Sequence, residues 1–280
     1  MASQKFTNIS LDTLDALQDL PPSPACTTFG MGSGADECGS HETEGDMRWD
    51  LDVGWEGSKE LYRGGWIDGL REARGQLDRY VATRREATPQ SSFDLDVVGA
   101  IPCVPAYLAG EPECMYRQDT VPAPVEIVDL IIDISASADI DAADMMRRGV
   151  AVWQTIRRIE AAGKRVRAIA SLNVAVPEYR YRSQINIELK KEGRQIDASR
   201  LVYAVAHPAF LRRQLFCAFE RDDSGFDYLR AIGESHGYGG VVDLARERPS
   251  QIILPGVNSG RRRTVAEWVA VFEGAVDAVG

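Results

Sequence analysis

The sequence has few of the residues from which metal centres and redox sites are built. It contains five cysteines and three histidines among 280 residues, and no two cysteines form the C-x-x-C pair of a zinc ribbon or a thiol–disulfide motif. The G-x-x-x-x-G-K-[ST] pattern of a nucleotide-binding loop is also missing. No apolar run approaches the roughly 20 residues that span a bilayer. These absences argue against a zinc domain, a thiol oxidoreductase, a P-loop enzyme and an integral membrane protein.

The sequence also has fewer basic than acidic residues. Lys and Arg number 32 against 42 Asp and Glu, which gives a formal net charge of -10 and a pI of about 4.9. Such a balance disfavours nucleic acids and anionic membranes as partners. Hydrophobic residues make up 44% of the chain, which is typical of a globular protein with a core. The first residues lack the charged-then-apolar pattern of a signal peptide, so we expect a cytoplasmic, reducing compartment.

Composition predicts a flexible acidic leader over residues 1–48. Residues 30–45 are mostly glycine, serine and acidic side chains, with little to bury. Residues 10–20 predict a short amphipathic helix that Ser10 caps. This helix either packs on its own domain or docks into the groove of a partner.

Residues 49–124 are predicted to be helical and then extended. Large apolar residues recur at helical spacing up to residue 86, and Gly64-Gly65 divides this stretch into two helices. The proline-rich connection that follows includes a strand at 93–98.

Residues 125–280 alternate strands with amphipathic helices. Residues 125–133 are almost continuously apolar, as in a strand that is buried on both faces. The predicted elements are strands at 125–133, 166–172, 184–189 and 251–254, and helices at 141–162, 197–219 and 264–279. Strand, helix and strand at this spacing predict a βαβ unit. The expected fold class is therefore α/β, a mostly parallel sheet with helices on both faces, plus an N-terminal helical extension.

The first strand of this domain ends in a polar motif, Asp133-Ile134-Ser135-Ala136-Ser137. Ligands gather at the carboxyl ends of the strands in an open α/β sheet. One carboxylate and two hydroxyls on alternate residues are hard oxygen donors of the kind that bind Mg²⁺ or Mn²⁺. The alternative is structural: Asp133 is a polar strand end, and Ser135, Ser137 or Asp139 caps the helix that follows.

An apolar strand that ends in D-x-S-x-S and leads into an amphipathic helix resembles the von Willebrand factor A domain and its metal-ion-dependent adhesion site. The resemblance covers residues 125–280. It implies a mostly parallel sheet with helices on both faces and a divalent cation held by Asp133, Ser135 and Ser137. In that family a carboxylate of a partner often completes the coordination, so the resemblance also implies a protein partner.

Two further ligands of that family are not reproduced here. The family adds a threonine from a second loop and an aspartate from a third, but the matching strand end reads Leu254-Pro255-Gly256-Val257-Asn258. Asn258 is the substitute at that place, and Asp197 lies near the expected second loop. The resemblance therefore implies a degenerate cation site.

Three segments are similar to uncharacterised proteins of tailed bacteriophages: GWEGSKELYRGGWIDG, VPAYLAGEPECM and YAVAHPAFLRRQLFCAFE. This resemblance implies a viral protein that acts in the host bacterial cytoplasm or in the virion, and it implies no particular activity.

A second candidate contact is basic. His207, Arg212 and Arg213 could form an anion site, since the guanidinium fork suits phosphate. The alternative is a core helix that is kinked at Pro208 and carries exposed arginines.

The sequence thus favours a non-enzymatic interaction or assembly protein with a virion or host protein as its partner. One rival is a metal-dependent hydrolase or phosphotransfer enzyme that uses Asp133, although a general base near it is not evident. Another is a structural component of a phage particle. Oligomerisation is left open.

Overall fold

The structure is a computed structural model. It describes residues 3–21, 39–41, 47, 50–83, 94–98, 101–117, 126–137, 140–176, 181–193, 197–221, 240–241, 244, 251–257 and 263–278. The chain divides into two compact units. Unit 1 contains Met1–Tyr80 and Glu126–Gly280, and unit 2 contains Val81–Val125. This division differs from the three predicted regions, because the N-terminal residues belong to the same unit as the α/β domain.

The strands of unit 1 are β1 (Ser3–Ile9), β5 (Ile127–Asp133), β6 (Arg165–Val176), β7 (Tyr181–Lys190), β8 (Gly240–Val241) and β9 (Gln251–Leu254). Its helices are α1 (Leu11–Gln18), α2 (Gly54–Gly64), α3 (Ile67–Thr83), α5 (Ala142–Ala161), α6 (Ala198–Ala206), α7 (Phe216–Glu220) and α8 (Val265–Asp277). The last residues of α3 extend into unit 2. A 3₁₀ turn spans Gly39–His41, and a π-helical segment, Phe210–Leu215, precedes α7. The predicted break between α2 and α3 is confirmed.

The sheet of unit 1 has the strand order β1-β7-β6-β5-β9, with β8 also paired to β6. β5 runs parallel to β6 and β9, and β1 runs parallel to β7. β6 runs antiparallel to β7 and β8. The predicted α/β class, with a mostly parallel sheet, helices and an N-terminal helical part, is therefore confirmed.

One face of this sheet carries the hydrophobic core of the described residues. Alternate strand residues point into it, because side chains alternate across a strand. They are Val128, Leu130, Ile132, Val166, Ala168, Ala170, Leu172, Ile185, Ile187, Ile252 and Leu254. The other face carries polar side chains, among them Asp129, Arg167 and Asn186, and a cavity of about 370 Å³ opens on it. The two faces thus differ in chemistry.

The N-terminal residues complete the sheet and the core. β1 pairs in register with β7, from Ser3 opposite Tyr181 to Ile9 opposite Ile187. Ser10 caps α1 as predicted, and Leu14 of α1 is fully buried in the core. The helix therefore packs on its own unit, which was the first of the two predicted alternatives.

The described residues of unit 2 form a small antiparallel sheet and one short helix. Its elements are β2 (Asp94–Asp96), β3 (Ile101–Pro102), α4 (Val104–Leu108) and β4 (Met115–Arg117), and the strand order is β2-β4-β3. The main-chain N–H of Cys103 donates to the carbonyl of Cys114 at 2.7 Å, which ties the start of α4 to β4. The strand predicted at 93–98 is confirmed in its central part.

Candidate functional site

The D-x-S-x-S loop lies at the carboxyl end of β5, as predicted. The Asp133 side chain is 2% exposed, and its Oδ1 accepts a hydrogen bond from the Ser135 main-chain N–H at 3.0 Å. The Gly256 N–H and the Ser135 hydroxyl also hydrogen-bond to this carboxyl group. The carboxyl group is therefore surrounded by donors from its own loop and from the loop after β9.

Ser135 and Ser137 link these loops to their neighbours. The Ser135 hydroxyl, in addition to its bond with Asp133, lies 3.3 Å from both the carbonyl oxygen and the N–H of Asn173 in β6. Ser137 is half-buried, and its main-chain N–H donates to the Val257 carbonyl at 3.3 Å. The Val257 N–H donates in return to the Ser135 carbonyl at 3.0 Å, so the two loops form a short parallel bridge.

Gly256 allows this close approach. A Cβ atom at Gly256 would lie 2.6 Å from the Ser135 carbonyl oxygen and 3.1 Å from the Asp133 Oδ2. The first distance is shorter than a real contact of a Cβ atom. Residue 256 must therefore be glycine for the second loop to close over Asp133.

Arg148 of α5 supplies a positive charge beside Asp133. It is 2% exposed, and its guanidinium donates to the main-chain carbonyls of Asp133 and, at 2.8 Å, of Pro255. Burial lowers the pKa of Arg148 to about 10, and the Asp133 charge opposes that shift. The guanidinium therefore holds the ends of β5 and β9 together from beneath.

Burial also shifts the pKa of the Asp133 carboxyl group. It raises the pKa of Asp133 above its ordinary value, although the hydrogen bonds from Ser135 and the charge of Arg148 act in the opposite direction. Asp133 and Arg148 are both shifted towards their neutral forms, which shows that desolvation outweighs their mutual attraction.

These contacts do not fit a divalent-cation site well. A Mg²⁺ ion needs near-octahedral oxygen ligands and keeps several waters, whereas Asp133 and Ser135 are buried and bonded to N–H and carbonyl groups of the chain. The guanidinium beside the carboxyl group would also repel a cation. In the part of the chain that the structure describes, no group of three His, Cys, Asp or Glu side chains could hold a metal ion. The Mg²⁺ or Mn²⁺ contact of Asp133, Ser135 and Ser137 stays a prediction.

The predicted capping role is taken by another residue. The N-cap of α5 is Asp141, whose carboxylate accepts from the Asp144 N–H at 2.7 Å. Ser135 and Ser137 therefore do not cap this helix, because the helix begins later than the alternative required. Asp139 lies outside the described residues.

One of the two further predicted ligands, Asp197, is not brought to this loop. Asp197 caps α6, and its Oδ1 accepts from the Ser199 N–H at 2.8 Å. β7 runs antiparallel to β6, so its end at Lys190 lies at the edge of the sheet opposite Asp133, and Asp197 follows that end. Asn258 lies outside the described residues.

A polar row extends from Asp133 across the sheet. Asp133 is in register with Ser171, Ser171 with Asn186, and Asn186 with Asn8. The Ser171 hydroxyl donates to the Asn186 Oδ1 at 2.8 Å, and the Asn186 amide donates to the Asn8 Oδ1 at 3.1 Å. Direct side-chain hydrogen bonds thus connect β6, β7 and β1 beside the loop, which fixes their register.

The two arginines of the predicted anion site are buried, and Arg213 binds a carboxylate of the same chain. Arg212 and Arg213 are 1% and 0% exposed, so neither is the exposed arginine of the alternative prediction. Both Nε and a terminal nitrogen of Arg213 contact the Asp50 Oδ2, at 2.8 and 2.7 Å. His207 ends α6 in an extended conformation, and the π-helical segment that follows Pro208 is buried at each of its six residues.

Asp50 also organises the chain before α2. Its carboxylate accepts from the N–H groups of Asp52 and Gly54, both at 3.1 Å. Leu51 and Asp52 have φ values of 60° and 63°, in the left-handed region that costs side chains about 1–2 kcal/mol each. The Asp50–Arg213 pair therefore holds a strained turn in place.

His207 lies close enough to Asp50 to feel its charge, but it is buried and does not form an exposed anion site. It is 2% exposed, and its Nδ1 accepts from the Ala209 N–H at 3.1 Å. Its ring packs edge-on against Trp66 at 4.5 Å. Burial lowers the pKa of His207 to about 4, and Asp50 opposes this shift, so the ring is neutral at pH 7.

Unit 2 presents a different surface. Val104, Tyr107 and Leu108 share one face of α4 and are 58%, 68% and 78% exposed, whereas Cys103 and Ala106 lie buried on the opposite side. We call these three exposed side chains the α4 stripe. Val97 and Val98, after β2, are 60% and 73% exposed. Glu111 and Glu113, which follow α4, are exposed as well.

The fold is α/β, and the loop after β5 is held by hydrogen bonds to main-chain groups of the same chain. A family model described as a domain of unknown function, DUF7192, matches residues 11–274, and the chain belongs to this family. Searches of curated proteins and of solved structures found no match. Among the described helices, none has both the length and the apolar composition needed to cross a bilayer.

Sequence reasoning missed Arg148, Gly256 and Asp50. Arg148 carries a usable signal, because it lies on the inward face of α5 between Met145 and Val152. A charged residue within an apolar helical stripe is buried only when it is paired. Gly256 and Asp50 gave no local signal, because their roles depend on contacts with distant parts of the chain.

Proposed function

We propose that this chain is a non-enzymatic interaction or assembly protein of a bacteriophage, acting in the host bacterial cytoplasm or in the virion. The α4 stripe is the single observation that carries the interaction role. Exposed apolar residues grouped on one face favour a partner, because clustered patches on soluble proteins often mark binding sites. The stripe also lies within VPAYLAGEPECM, one of the segments that resemble tailed-phage proteins.

The chemistry of the stripe indicates the partner. Val104, Tyr107 and Leu108 stand at i, i+3 and i+4, the spacing with which a helix enters an apolar groove. Glu111 and Glu113 supply negative charge directly after the helix. The partner is a protein with an apolar groove and a basic rim.

The backbone around the stripe supports presentation of these side chains. Pro105 lies in the first turn of α4, where proline favours helix initiation. Gly110, at a φ of 75°, ends the helix, and the Glu111 N–H returns to the Ala106 carbonyl at 3.1 Å. A helix with fixed ends loses less conformational entropy when it binds.

Photo-crosslinking tests this surface. p-Benzoylphenylalanine is placed at position 107 of the full chain and, as a matched control, at the exposed position Glu72 of α3, and both proteins are irradiated in the bacterial host. We expect one discrete protein adduct from position 107 that position 72 does not give. Leu108→Ser in the same chain should abolish that adduct.

The outcome is decisive when folding is measured in parallel. Leu108 is exposed, so Leu108→Ser should change the free energy of unfolding by less than about 0.5 kcal/mol. The same adducts from both positions, no adduct from position 107, or an adduct that survives Leu108→Ser would contradict the proposal.

A further inference from the structure

A second cavity lies in unit 1 between α5 and α8, at the edge of the sheet where β5 begins. Its volume is about 420 Å³. Apolar side chains form most of its wall: Ile127, Val128, Ile159, Ile252, Val269 and Val276. We call this cavity the α5–α8 slot. Ile127 is 54% exposed, so the apolar wall is open to solvent.

The rim of the slot is charged. Arg158 of α5 forms an ion pair with Glu273 of α8, and Lys164 contacts Glu126 at 2.9 Å. Asp277, in the last turn of α8, is a third carboxylate on this rim. Three carboxylates against two cations leave one negative charge in excess, so the rim favours a cation over an anion.

The size and position of the slot indicate which kind of molecule it can bind. Small-molecule sites have volumes of about 300–1,000 Å³ and combine apolar walls with a few polar groups. A stable protein partner requires about 800 Å² of surface on each side, which is a broader area than a slot between two helices. Most of the residues that line the slot lie on α5, α8, β5 and β9.

We infer that the α5–α8 slot binds a small amphiphilic amine, a molecule with an apolar body and a cationic end. The apolar body contacts Ile127, Val269 and Val276, and the ammonium group lies at the rim beside Glu273 and Asp277. This site is separate from the α4 stripe and does not rest on the proposed function.

Calorimetric titration of the full chain with three probes of equal chain length tests the inference. The probes are n-octylammonium, n-octanol and n-octanoate. We expect the ammonium to bind about fivefold more tightly than the alcohol, which is the size of an exposed ion-pair contribution. The carboxylate should bind most weakly of the three.

Variants locate the binding site. Val276→Phe places a larger side chain into the slot and should weaken n-octylammonium binding by about tenfold or more, as expected when a pocket is filled. Val271→Phe is the matched control, because Val271 lies on the same helix and does not line the slot. Asp277→Asn changes an exposed residue and should reduce the preference for the ammonium over the alcohol by about threefold.

Four results would overturn the inference. The first is binding of n-octanoate that equals or exceeds that of n-octylammonium, and the second is no binding of the ammonium at all. The third is an unchanged ammonium preference in Asp277→Asn, a variant whose exposed position leaves folding intact. The fourth is an equal effect of Val276→Phe and Val271→Phe, which would place the ligand elsewhere.

Discussion

The two units differ in the charged side chains that unit 1 buries and in the apolar side chains that unit 2 exposes. Unit 1 buries several charged residues almost completely: Asp50, Asp133, Arg148, Arg212, Arg213 and Glu220. Unit 2 leaves large apolar residues exposed: Val97, Val98, Val104, Tyr107 and Leu108. The buried charges of unit 1 contact groups of the same chain, whereas the three side chains of the α4 stripe are exposed. The buried charges of unit 1 contribute to its stability, and the exposed apolar residues of unit 2 are the basis of the proposed interaction.

Asp50→Asn tests the first half of this comparison and should have the largest effect. The substitution preserves shape but removes the negative charge that the buried Arg213 guanidinium contacts. Breaking one partner of a buried pair costs about 3–5 kcal/mol. Urea unfolding of the full chain, followed by circular dichroism, measures the free energy of unfolding.

The matched control for this variant is Asp19→Asn. Asp19 also pairs with an arginine, Arg63, at 2.8 Å, but both side chains are exposed. An exposed pair contributes about 0–1 kcal/mol, so the control should unfold almost as the unmodified chain does. Equal losses in the two variants would show that burial does not set the strength of these pairs.

The buried His207 predicts a pH dependence of smaller size. Its pKa is lowered from 6.5 to about 4, so the folded state keeps the ring neutral while the unfolded state binds a proton as the pH falls below 6.5. Its stabilising contribution is present at neutral pH and is lost between pH 6.5 and about 4. From pH 7 to pH 4.5 the loss amounts to about 2–3 kcal/mol.

His207→Gln separates this effect from the titration of other groups. Glutamine keeps an acceptor near the Ala209 N–H but does not titrate. The free energy of unfolding, measured with urea at both pH values, should fall less with acid in the variant than in the unmodified chain. Parallel pH profiles for the two proteins would contradict a neutral buried ring.

Sequence reasoning predicted the elements whose signals are local. The helix expected at 141–162 is observed as Ala142–Ala161, because its N-cap Asp141 and the left-handed Gly163 both lie at its ends. The strand expected at 125–133 is observed as Ile127–Asp133. Continuous apolar character over that length suits a central strand with neighbours on both sides.

Features that depend on distant contacts were not predictable. β1 reads as part of a leader, and only its pairing with β7, far along the chain, makes it a strand. The local sequence predicts that Arg213 is exposed, but in the structure it is buried and bonded to Asp50, 163 positions away in sequence. The candidate site is a partial exception: the motif placed Asp133 and Ser135 at the strand end, and Arg148 carried a signal through its position on the inward face of α5, although its contact with Asp133 was not predictable.

The strand-end loop supplies the smallest predicted effect and the sharpest contrast with Asp50. Both carboxylates are buried, but Arg213 contacts Asp50 directly, whereas Arg148 donates to the main-chain carbonyl of Asp133. Asn at position 133 can still accept from the Ser135 N–H, and it removes a charge that burial disfavours. Asp133→Asn should therefore change the free energy of unfolding by only about 1 kcal/mol.

Thermal unfolding with and without Mg²⁺ or Mn²⁺ decides what this loop binds. A ligand that binds only the folded state raises the unfolding midpoint in proportion to its occupancy. Because Asp133 already accepts N–H donors and lies beside a guanidinium, we expect neither ion to raise the midpoint in the unmodified chain. A rise that appears there and vanishes in Asp133→Asn would instead establish the cation contact implied by D-x-S-x-S. The loop would then have to open, since Gly256 closes over the carboxyl group, and the hydrogen bonds between Ser135 and Val257 would exchange faster with solvent when the ion is bound.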